Sequence, residues 1–213
     1  MRITVLFTCL IITLFTACKN DSLPQPNKAI VDTVKHNFNP TKITEKAKEA
    51  RTYCKKKKYN ENFCFLVDMN IHSGLNRFFI WDFKTNKIIK RMLVGHGCYR
   101  NRWSKDVSKD NPVFSNIDGS RCSSLGKYKI ADRGVSEWGI KVKYNLIGLD
   151  STNSNASKRS IVLHSWEMMS ENEIFPKGSP EGWGCPTLSN GNMKIVDSML
   201  LQSKRPTLLW IFK

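Results

Sequence analysis

The chain has 213 residues, 40% of them hydrophobic, and a formal net charge of +16. This length is enough for one domain of about 150 residues with a sizeable core, plus appendages. The basic excess favours polyanions or acidic partners. The sequence has no phosphate loop, dinucleotide fingerprint, internal repeat or heptad pattern, which excludes the classes that those motifs define.

The first eighteen residues have the pattern of an export signal. Residues 3–17 are a fifteen-residue apolar run, too short to span a bilayer comfortably and of the right length for the core of a signal peptide. The run ends in Leu-Phe-Thr-Ala-Cys, which resembles a lipoprotein lipobox. We therefore expect residues 1–17 to be a lipoprotein signal peptide and Cys18 to carry a lipid that anchors an exported protein to a membrane of the cell envelope, at its periplasmic face in a Gram-negative cell. The alternatives are a plain secretory signal and an uncleaved anchor.

The next two segments differ in amino-acid composition. Residues 18–43 are polar, contain prolines and predict a tether. Residues 44–60 predict a helical lead-in, with a helix from about Thr44 to Lys58 that is rich in helix formers. The lysine run 55–58 favours a solvated helix face over a nucleic-acid site.

Residues 61–213 predict one mainly β (α+β) domain with flanking helices. Short runs rich in Val, Ile, Phe, Tyr and Trp predict strands at 63–69, 77–83, 87–94, 127–131, 138–144, 160–164 and 207–212. A helical stripe predicts one later helix at 192–202. The long charged segment 99–113 predicts a solvated surface loop, with an insert beside a substrate cleft as the alternative.

The candidate catalytic residues are a histidine and a cysteine about twenty residues apart near the C-terminal end. His164 ends an apolar strand pattern, and Cys185 follows in a turn between Gly184 and Pro186. A thiol titrates near ~8.5, so a nucleophilic cysteine needs an imidazole to take its proton. Glycines leave backbone N–H groups unobstructed for an oxyanion. Taken alone, however, the pair favours a buried thiol and a hydrogen-bonded core histidine.

The surrounding sequence resembles the murein L,D-transpeptidase catalytic domain family of the YkuD-like superfamily, in particular its Trp-Gly-Cys-Pro branch. That family separates its histidine from a small hydroxyl residue, two before the catalytic glycine, by fourteen to seventeen residues. Here seventeen residues, 165–181, separate His164 from Gly182. Further similar segments lie at 63–68, 77–82, 94–97, 114–116, 123–128, 148–149 and 155–159, so the resemblance covers roughly residues 60–213. It implies a YkuD-like β-sandwich catalytic domain at 61–213.

The resemblance also implies a two-step acyl transfer without a cofactor or metal. Cys185 would form a thioester with the third-position diamino acid of a peptidoglycan tetrapeptide stem and release D-alanine, and an amine would then take the acyl group. His164 would act as base and then acid, oriented through the backbone of Ser165, while N–H groups of Trp183, Gly184 and Cys185 would face the oxyanion. The implied substrate-binding candidates are Ser124, Gly126, Asn155, Arg159 and Gly182.

Two departures from the family leave alternatives open. Gly182 replaces the small hydroxyl residue, and Glu181 replaces an arginine that the branch often carries. The same Cys-His site would act as an L,D-carboxypeptidase or endopeptidase if water resolved the thioester. A wall-binding lipoprotein without catalysis is the third interpretation. Peptidoglycan stem peptides are the expected partners in each case, with no nucleic acid.

The other cysteines predict disulfides. Setting aside Cys185, the signal cysteine and Cys18 leaves Cys54, Cys64, Cys98 and Cys122. An even remainder in an exported chain favours bridges, and the sequence-local pairings 54–64 and 98–122 are expected among three possible connectivities. The run Gly95–Tyr99 imitates a His-Gly-Cys turn, but its preceding histidine, His72, lies outside the family spacing. A zinc site formed by His96, Cys98, His164 and Cys185 lacks close-spaced ligand pairs and is disfavoured.

Overall fold

The computed structural model describes residues 38–213, which contain two α-helices, one short 3-10 helix (Ser151–Asn153) and eight strands. The α-helices are α1 (Pro40–Lys57) and α2 (Asn190–Leu201). The strands are β1 (Phe63–Asp68), β2 (Phe78–Asp82), β3 (Lys87–Met92), β4 (Gly126–Val135), β5 (Val142–Gly148), β6 (Val162–Ser165), β7 (Thr187–Leu188) and β8 (Thr207–Phe212). The expected mainly β class with flanking helices is confirmed.

All eight strands hydrogen-bond into one sheet, in the order β3-β2-β1-β8-β4-β5-β6-β7. The pairs are antiparallel except β1 with β8 and β6 with β7. The parallel pair β6–β7 sets His164 opposite Thr187, only two residues after Cys185. This pairing brings together two parts of the chain that are about twenty residues apart in sequence.

The central strands are buried on both faces of the sheet. In β1, Phe65 and Val67 pack in the larger core with α2, whereas Cys64 and Leu66 pack in a second core with α1. Because successive side chains of a strand point to opposite faces, a strand covered on both sides must be apolar throughout. This explains the unbroken apolar runs at 63–67 and 208–212.

Helix α1 begins four residues before the predicted start. The side chain of Asn39 accepts a hydrogen bond from the Lys42 N–H at 3.2 Å, and Pro40 occupies the first turn. Both are favourable at a helix N-terminus. The end of the segment 18–43, predicted as tether, is therefore helical. Ile43 and Ala47 are buried in the second core, between α1 and the sheet, so the helix is part of the folded domain.

The prediction for β5 was wrong in its boundaries. The predicted strand 138–144 is a turn up to Lys141, and β5 runs from Val142 to Gly148. Gly139 has φ +59°, and a Cβ there would lie 2.0 Å from Ser165 Oγ. The turn can therefore press against the end of β6 only because residue 139 is a glycine.

Candidate active site

His164 lies at the end of β6, and its tautomer follows from its hydrogen bond. His164 Nδ1 is 2.9 Å from the carbonyl oxygen of Ser165. A carbonyl only accepts, so Nδ1 carries the proton and Nε2 keeps its lone pair. Burial lowers the pKa of His164, partly offset by the bond to Ser165 and by the charge of Glu167. The ring is thus held as a neutral imidazole with Nε2 as its basic atom.

Cys185 lies in the turn before β7, with its thiol half-buried. The Val162 N–H donates to Sγ at 3.5 Å. Burial raises the pKa of Cys185, while the Val162 N–H and the charges of Arg159 and Lys143 lower it by lesser amounts. The net shift is upward, so the resting group is a thiol that needs a base to become a nucleophile. His164 and Cys185 line the same cavity.

The turn 182–185 presents backbone donors beside the thiol. Within residues 38–213, the N–H groups of Trp183, Gly184 and Cys185 donate to no protein acceptor. Gly184 has φ +108°, and a Cβ there would lie 2.4 Å from the carbonyl oxygen of Cys122. Glycine is therefore required at 184 both for its backbone conformation and for space. Free N–H groups in such a turn are the donors that an oxyanion needs.

Arg159 holds the chain that lies behind this turn. Its Nη2 donates to the Cys122 carbonyl at 2.6 Å, and its Nη1 donates to Ser124 Oγ at 2.6 Å and to the Ser115 carbonyl at 2.9 Å. Ser123 Oγ, next in sequence to Cys122, donates to the Gly184 carbonyl at 3.0 Å. Arg159 therefore positions the segment against which the turn 182–185 packs.

A buried polar chain supports the other side of the turn. Arg77 Nη2 donates to His96 Nδ1 at 2.8 Å, so His96 Nε2 carries the proton and donates to Ser108 Oγ at 3.1 Å. Ser108 Oγ in turn donates to Glu181 Oε1 at 2.9 Å. Burial and the charge of Arg77 hold the pKa of His96 well below its usual range, which keeps the ring neutral. Gly182 N–H donates to the His96 carbonyl at 2.8 Å, so this series of hydrogen-bonded residues fixes the start of the turn 182–185.

The sequence analysis did not predict this hydrogen-bond network, although it noted Glu181, the last residue of the network. Glu181 was noted only as a departure from the family, yet it is fully buried and takes hydrogen bonds from both the N–H and the Oγ of Ser108. An arginine at 77 within an apolar strand pattern was the available signal, because a buried charge requires partners.

The loop 99–113 contacts the site as well as solvent. Ser104 N–H donates to the Glu181 carbonyl at 2.9 Å, and Glu181 N–H donates to the Lys105 carbonyl at 2.8 Å. These bonds place Trp103 at the cavity. The prediction of a purely solvated loop was therefore wrong, and the alternative of an insert beside the cleft describes its position.

The cavity has a volume of about 150 Å³, and Cys185 is part of its lining. Most of its wall is aromatic. The lining residues are Trp103, Trp138, His164, Trp166, Gly182, Trp183, Cys185 and Thr187. A Cβ on Gly182 would meet no atom within 4 Å, so this position is open to the cleft.

The other substrate-binding candidates lie outside this lining. Gly126 starts β4 at φ +131° against the side chain of Asn153. Asn155 donates its backbone N–H to Asn116 Oδ1 at 3.1 Å and its side-chain Nδ2 to the Asn116 carbonyl at 3.0 Å. Ser124 is engaged by Arg159. Arg159 and Trp183 do line a second, open depression of about 360 Å³. The binding roles of these residues stay predictions.

The four cysteines expected in disulfides are free thiols in the structure. Burial raises the pKa of Cys64 well above its usual range, and nearby Cys54 raises it further. Burial likewise raises the pKa of Cys98, with a smaller contribution from Cys122. The cysteines of each pair are thus neighbours that the structure leaves unbonded, and the pairings stay predictions.

Residues 38–213 contain neither a metal-binding cluster nor a membrane-spanning helix. No group of three or more His, Cys, Asp or Glu side chains there is arranged to hold a metal ion. Neither α-helix in this part of the chain is long and apolar enough to cross a bilayer. Residues 1–37, with Cys18 and most of the predicted tether, lie outside the described residues.

Fold and site together define a mainly β domain with a cysteine–histidine pair in one cavity. The chain belongs to the L,D-transpeptidase catalytic domain family, whose family model matches residues 34–211. No curated protein matches the chain.

Solved structures show distant similarity. A Bdellovibrio bacteriovorus protein, Bd1075, is 14% identical over 73% of this chain and 49% of its own, with a TM-score of 0.41. The K307A mutant of Pgp2, a helical cell shape determining protein of Campylobacter jejuni, is 12% identical over 73% of this chain and 48% of its own, with a TM-score of 0.43. An L,D-transpeptidase of Xylanimonas cellulosilytica is 9% identical over 76% and 68%, with a TM-score of 0.38. The aligned region is about half the length of the first two proteins.

Proposed function

We propose that this chain is a peptidoglycan L,D-transpeptidase. The observation that carries the proposal is the cavity that holds Cys185 and the basic Nε2 of His164 beside three unengaged backbone N–H groups, in a chain that belongs to this family. These parts match the needs of acyl transfer, which are a nucleophile, a base and an oxyanion site.

In the first step, Cys185 Sγ attacks the carbonyl carbon of the third-position diamino acid in a tetrapeptide stem. The thiol proton passes to His164 Nε2, and the N–H groups at 183–185 stabilise the oxyanion. The tetrahedral intermediate breaks its C–N bond, and His164 gives the proton to the departing amino group of D-alanine. The acyl group is then a thioester on Cys185.

In the second step, an amine attacks the thioester carbon. The C–N bond forms, the C–S bond breaks, and the proton lost by the amine returns through His164 to the sulfur. Attack by water in place of the amine would give the L,D-carboxypeptidase reaction from the same intermediate.

Both departures from the family pattern are compatible with catalysis. Glu181 ends the buried chain from Arg77 and does not face the cavity, and Gly182 leaves open space where the family carries a hydroxyl. Neither feature obstructs the thiol. These observations favour an active enzyme over a wall-binding protein without catalysis.

The test is intact-mass analysis of the protein incubated with a disaccharide tetrapeptide, with the products separated by LC-MS. A stem-tripeptide adduct on Cys185 and cross-linked dimers are expected from the unsubstituted protein. Cys185→Ala should form no adduct. Cys98→Ala, which removes the thiol of the His-Gly-Cys run at 96–98, should still form it. Retention of D-alanine in every sample would contradict the proposal. An adduct with free tripeptide as the only product would favour the carboxypeptidase.

The export signal, the lipid on Cys18 and the location at the cell envelope remain proposals from the sequence. Incorporation of a labelled fatty acid into the protein, lost in Cys18→Ala, would support them.

A further inference from the structure

Four tryptophans surround the mouth of the catalytic cavity. We call Trp103, Trp138, Trp166 and Trp183 the tryptophan wall. Trp103 stacks on Trp166 with ring centroids 5.1 Å apart, and it lies 6.1 Å from Trp138 and 6.4 Å from Trp183. Trp103, Trp138 and Trp183 are 38%, 44% and 64% exposed. Large aromatic side chains left open to solvent around a nucleophile indicate a binding surface.

Trp166 directly follows β6. The other three rings lie on separate loops, and each loop is tied to the catalytic residues. The backbone bonds between Glu181 and the loop 99–113 hold Trp103. Ser165, whose carbonyl orients His164, accepts the Ile140 N–H through Oγ at 3.0 Å and so fixes the turn of Trp138. Trp183 belongs to the catalytic turn itself. The wall is therefore built onto the same backbone that positions the nucleophile and the base.

The charges around the cavity differ between its two ends. Burial has the largest effect on the pKa of His164 and lowers it, and the bond to Ser165 has the next largest effect and raises it. Of the two charges nearby, Glu167 raises this pKa by more than Lys143 lowers it. Its carboxylate accepts the Gly139 N–H at 2.8 Å, next to Trp138. On the thiol side, Arg159 and then Lys143 favour the anionic form of Cys185. On the histidine side, next to Trp138, the Glu167 carboxylate therefore supplies a negative charge that attracts a cation.

A cavity of about 150 Å³ has room for an alkyl chain with one polar end. Tryptophan is the aromatic side chain that attracts cations most strongly, and an alkylammonium group presents both a charge and methylene groups to its face.

We propose that the tryptophan wall is the acceptor subsite, and that it selects an alkylammonium acceptor over neutral nucleophiles. This inference rests on the proposed function, since an acceptor is needed only after the thioester has formed. The bound ammonium loses one proton to His164, the neutral amine attacks the thioester carbon, and the C–S bond breaks. The thiolate takes the proton from His164, and the second ammonium proton leaves to solvent once the amide nitrogen has formed its bond.

The experiment is a competition between two small nucleophiles for the acyl-enzyme. The protein is incubated with disaccharide tetrapeptide, n-butylamine and methoxyamine at neutral pH, where the first is a cation and the second is uncharged. The ratio of the butylamide to the methoxyamide product is measured by LC-MS. Both products come from the same thioester, so this ratio does not depend on how fast Cys185 is acylated or on how much water enters.

Trp103→Ala should lower the butylamide-to-methoxyamide ratio by about three- to tenfold, the size expected for a cation–π contact partly shielded from water. Trp103→Phe should fall between Trp103→Ala and the unsubstituted protein, because phenylalanine keeps a weaker aromatic face. Ile89→Ala is the matched control, since Ile89 is an exposed hydrophobic residue of β3, at the opposite edge of the sheet from β7.

An unchanged ratio in Trp103→Ala, or an equal change in Ile89→Ala, would overturn the inference while leaving the transpeptidase intact. Absence of any acyl-enzyme in the unsubstituted protein, measured separately by intact mass, would overturn the proposed function and this inference with it. The two failures are therefore distinguishable.

Discussion

Arg77 and Glu181, both fully buried, are connected through His96 and Ser108 in one chain of hydrogen bonds. Burial lowers the pKa of Arg77 to about 9, although Asp68 and Glu181 both act to raise it, so the guanidinium stays charged at neutral pH. These hydrogen bonds link the residue before β2 to the residue before the turn 182–185. The stability of this turn therefore depends on a buried cation about a hundred residues earlier in sequence.

Arg77→Met should destabilise the protein by about 3–5 kcal/mol, because it leaves the buried charge of Glu181 without a compensating cation and the Nδ1 of His96 without its donor. The free energy of unfolding from urea titration measures the loss. The double variant Arg77→Met/Glu181→Gln should recover part of it, since no uncompensated buried charge remains. A loss in the double variant equal to the sum of the two single losses would show that the two charges are not coupled.

The two glycines of the turn 182–185 should differ in their tolerance of an added side chain, which should be harmful at 184 and tolerated at 182. Gly184→Ala should reduce the acylation rate by about 10²-fold, as for loss of one oxyanion donor, because φ +108° and the Cys122 carbonyl both exclude a Cβ. Gly182→Ser, which restores the hydroxyl of the family pattern, should change stability by less than about 0.5 kcal/mol, since its Cβ meets open space. Stopped-flow acylation and thermal unfolding of both variants make the comparison. Equal losses in the two would contradict the geometry of the turn.

The pH dependence of acylation should follow the neutral state of His164. Burial lowers the pKa of His164, so the base is present above that lowered value and is lost only as the pH falls through it. We expect the acidic limb of kcat/KM to lie below the ordinary histidine value of about 6.5. Activity should persist to alkaline pH, because burial also raises the pKa of Cys185. An acidic limb clearly above 6.5 would contradict the lowered pKa of His164.

Thiol reactivity should rank the cysteines by exposure. Cys185 should be alkylated first by iodoacetamide, with a rate that rises with pH above about 8.5, because only the thiolate reacts and burial raises the pKa of this thiol. Cys54, whose pKa burial raises to about 12, and the still more buried Cys64 should react only on unfolding.

Peptide mapping without reductant completes this measurement. Free thiols, as the structure has them, predict full alkylation of residues 54, 64, 98 and 122 after unfolding. Linked peptides 54–64 or 98–122 would instead establish the bridges that the sequence favours.

Much of the fold was predictable because it depends on local pattern. The apolar run of β8 and the stripe of α2 were placed to within about two residues, since burial on both faces or on one face repeats at the period of the element. The start of α1 was missed although Asn39 and Pro40 carried the signal. The boundaries of β5 failed because Gly139 turns the chain to meet Ser165, a tertiary contact that leaves no mark on the strand pattern.

The sequence by itself determined the family, the mainly β class and the choice of His164 and Cys185, because the spacing between those two residues is a property of one short stretch. Only the tertiary structure decided which side chains surround them. The tryptophan wall and the chain from Arg77 to Glu181 each join several distant segments, and such contacts arise from strand pairing and loop packing that no local periodicity encodes.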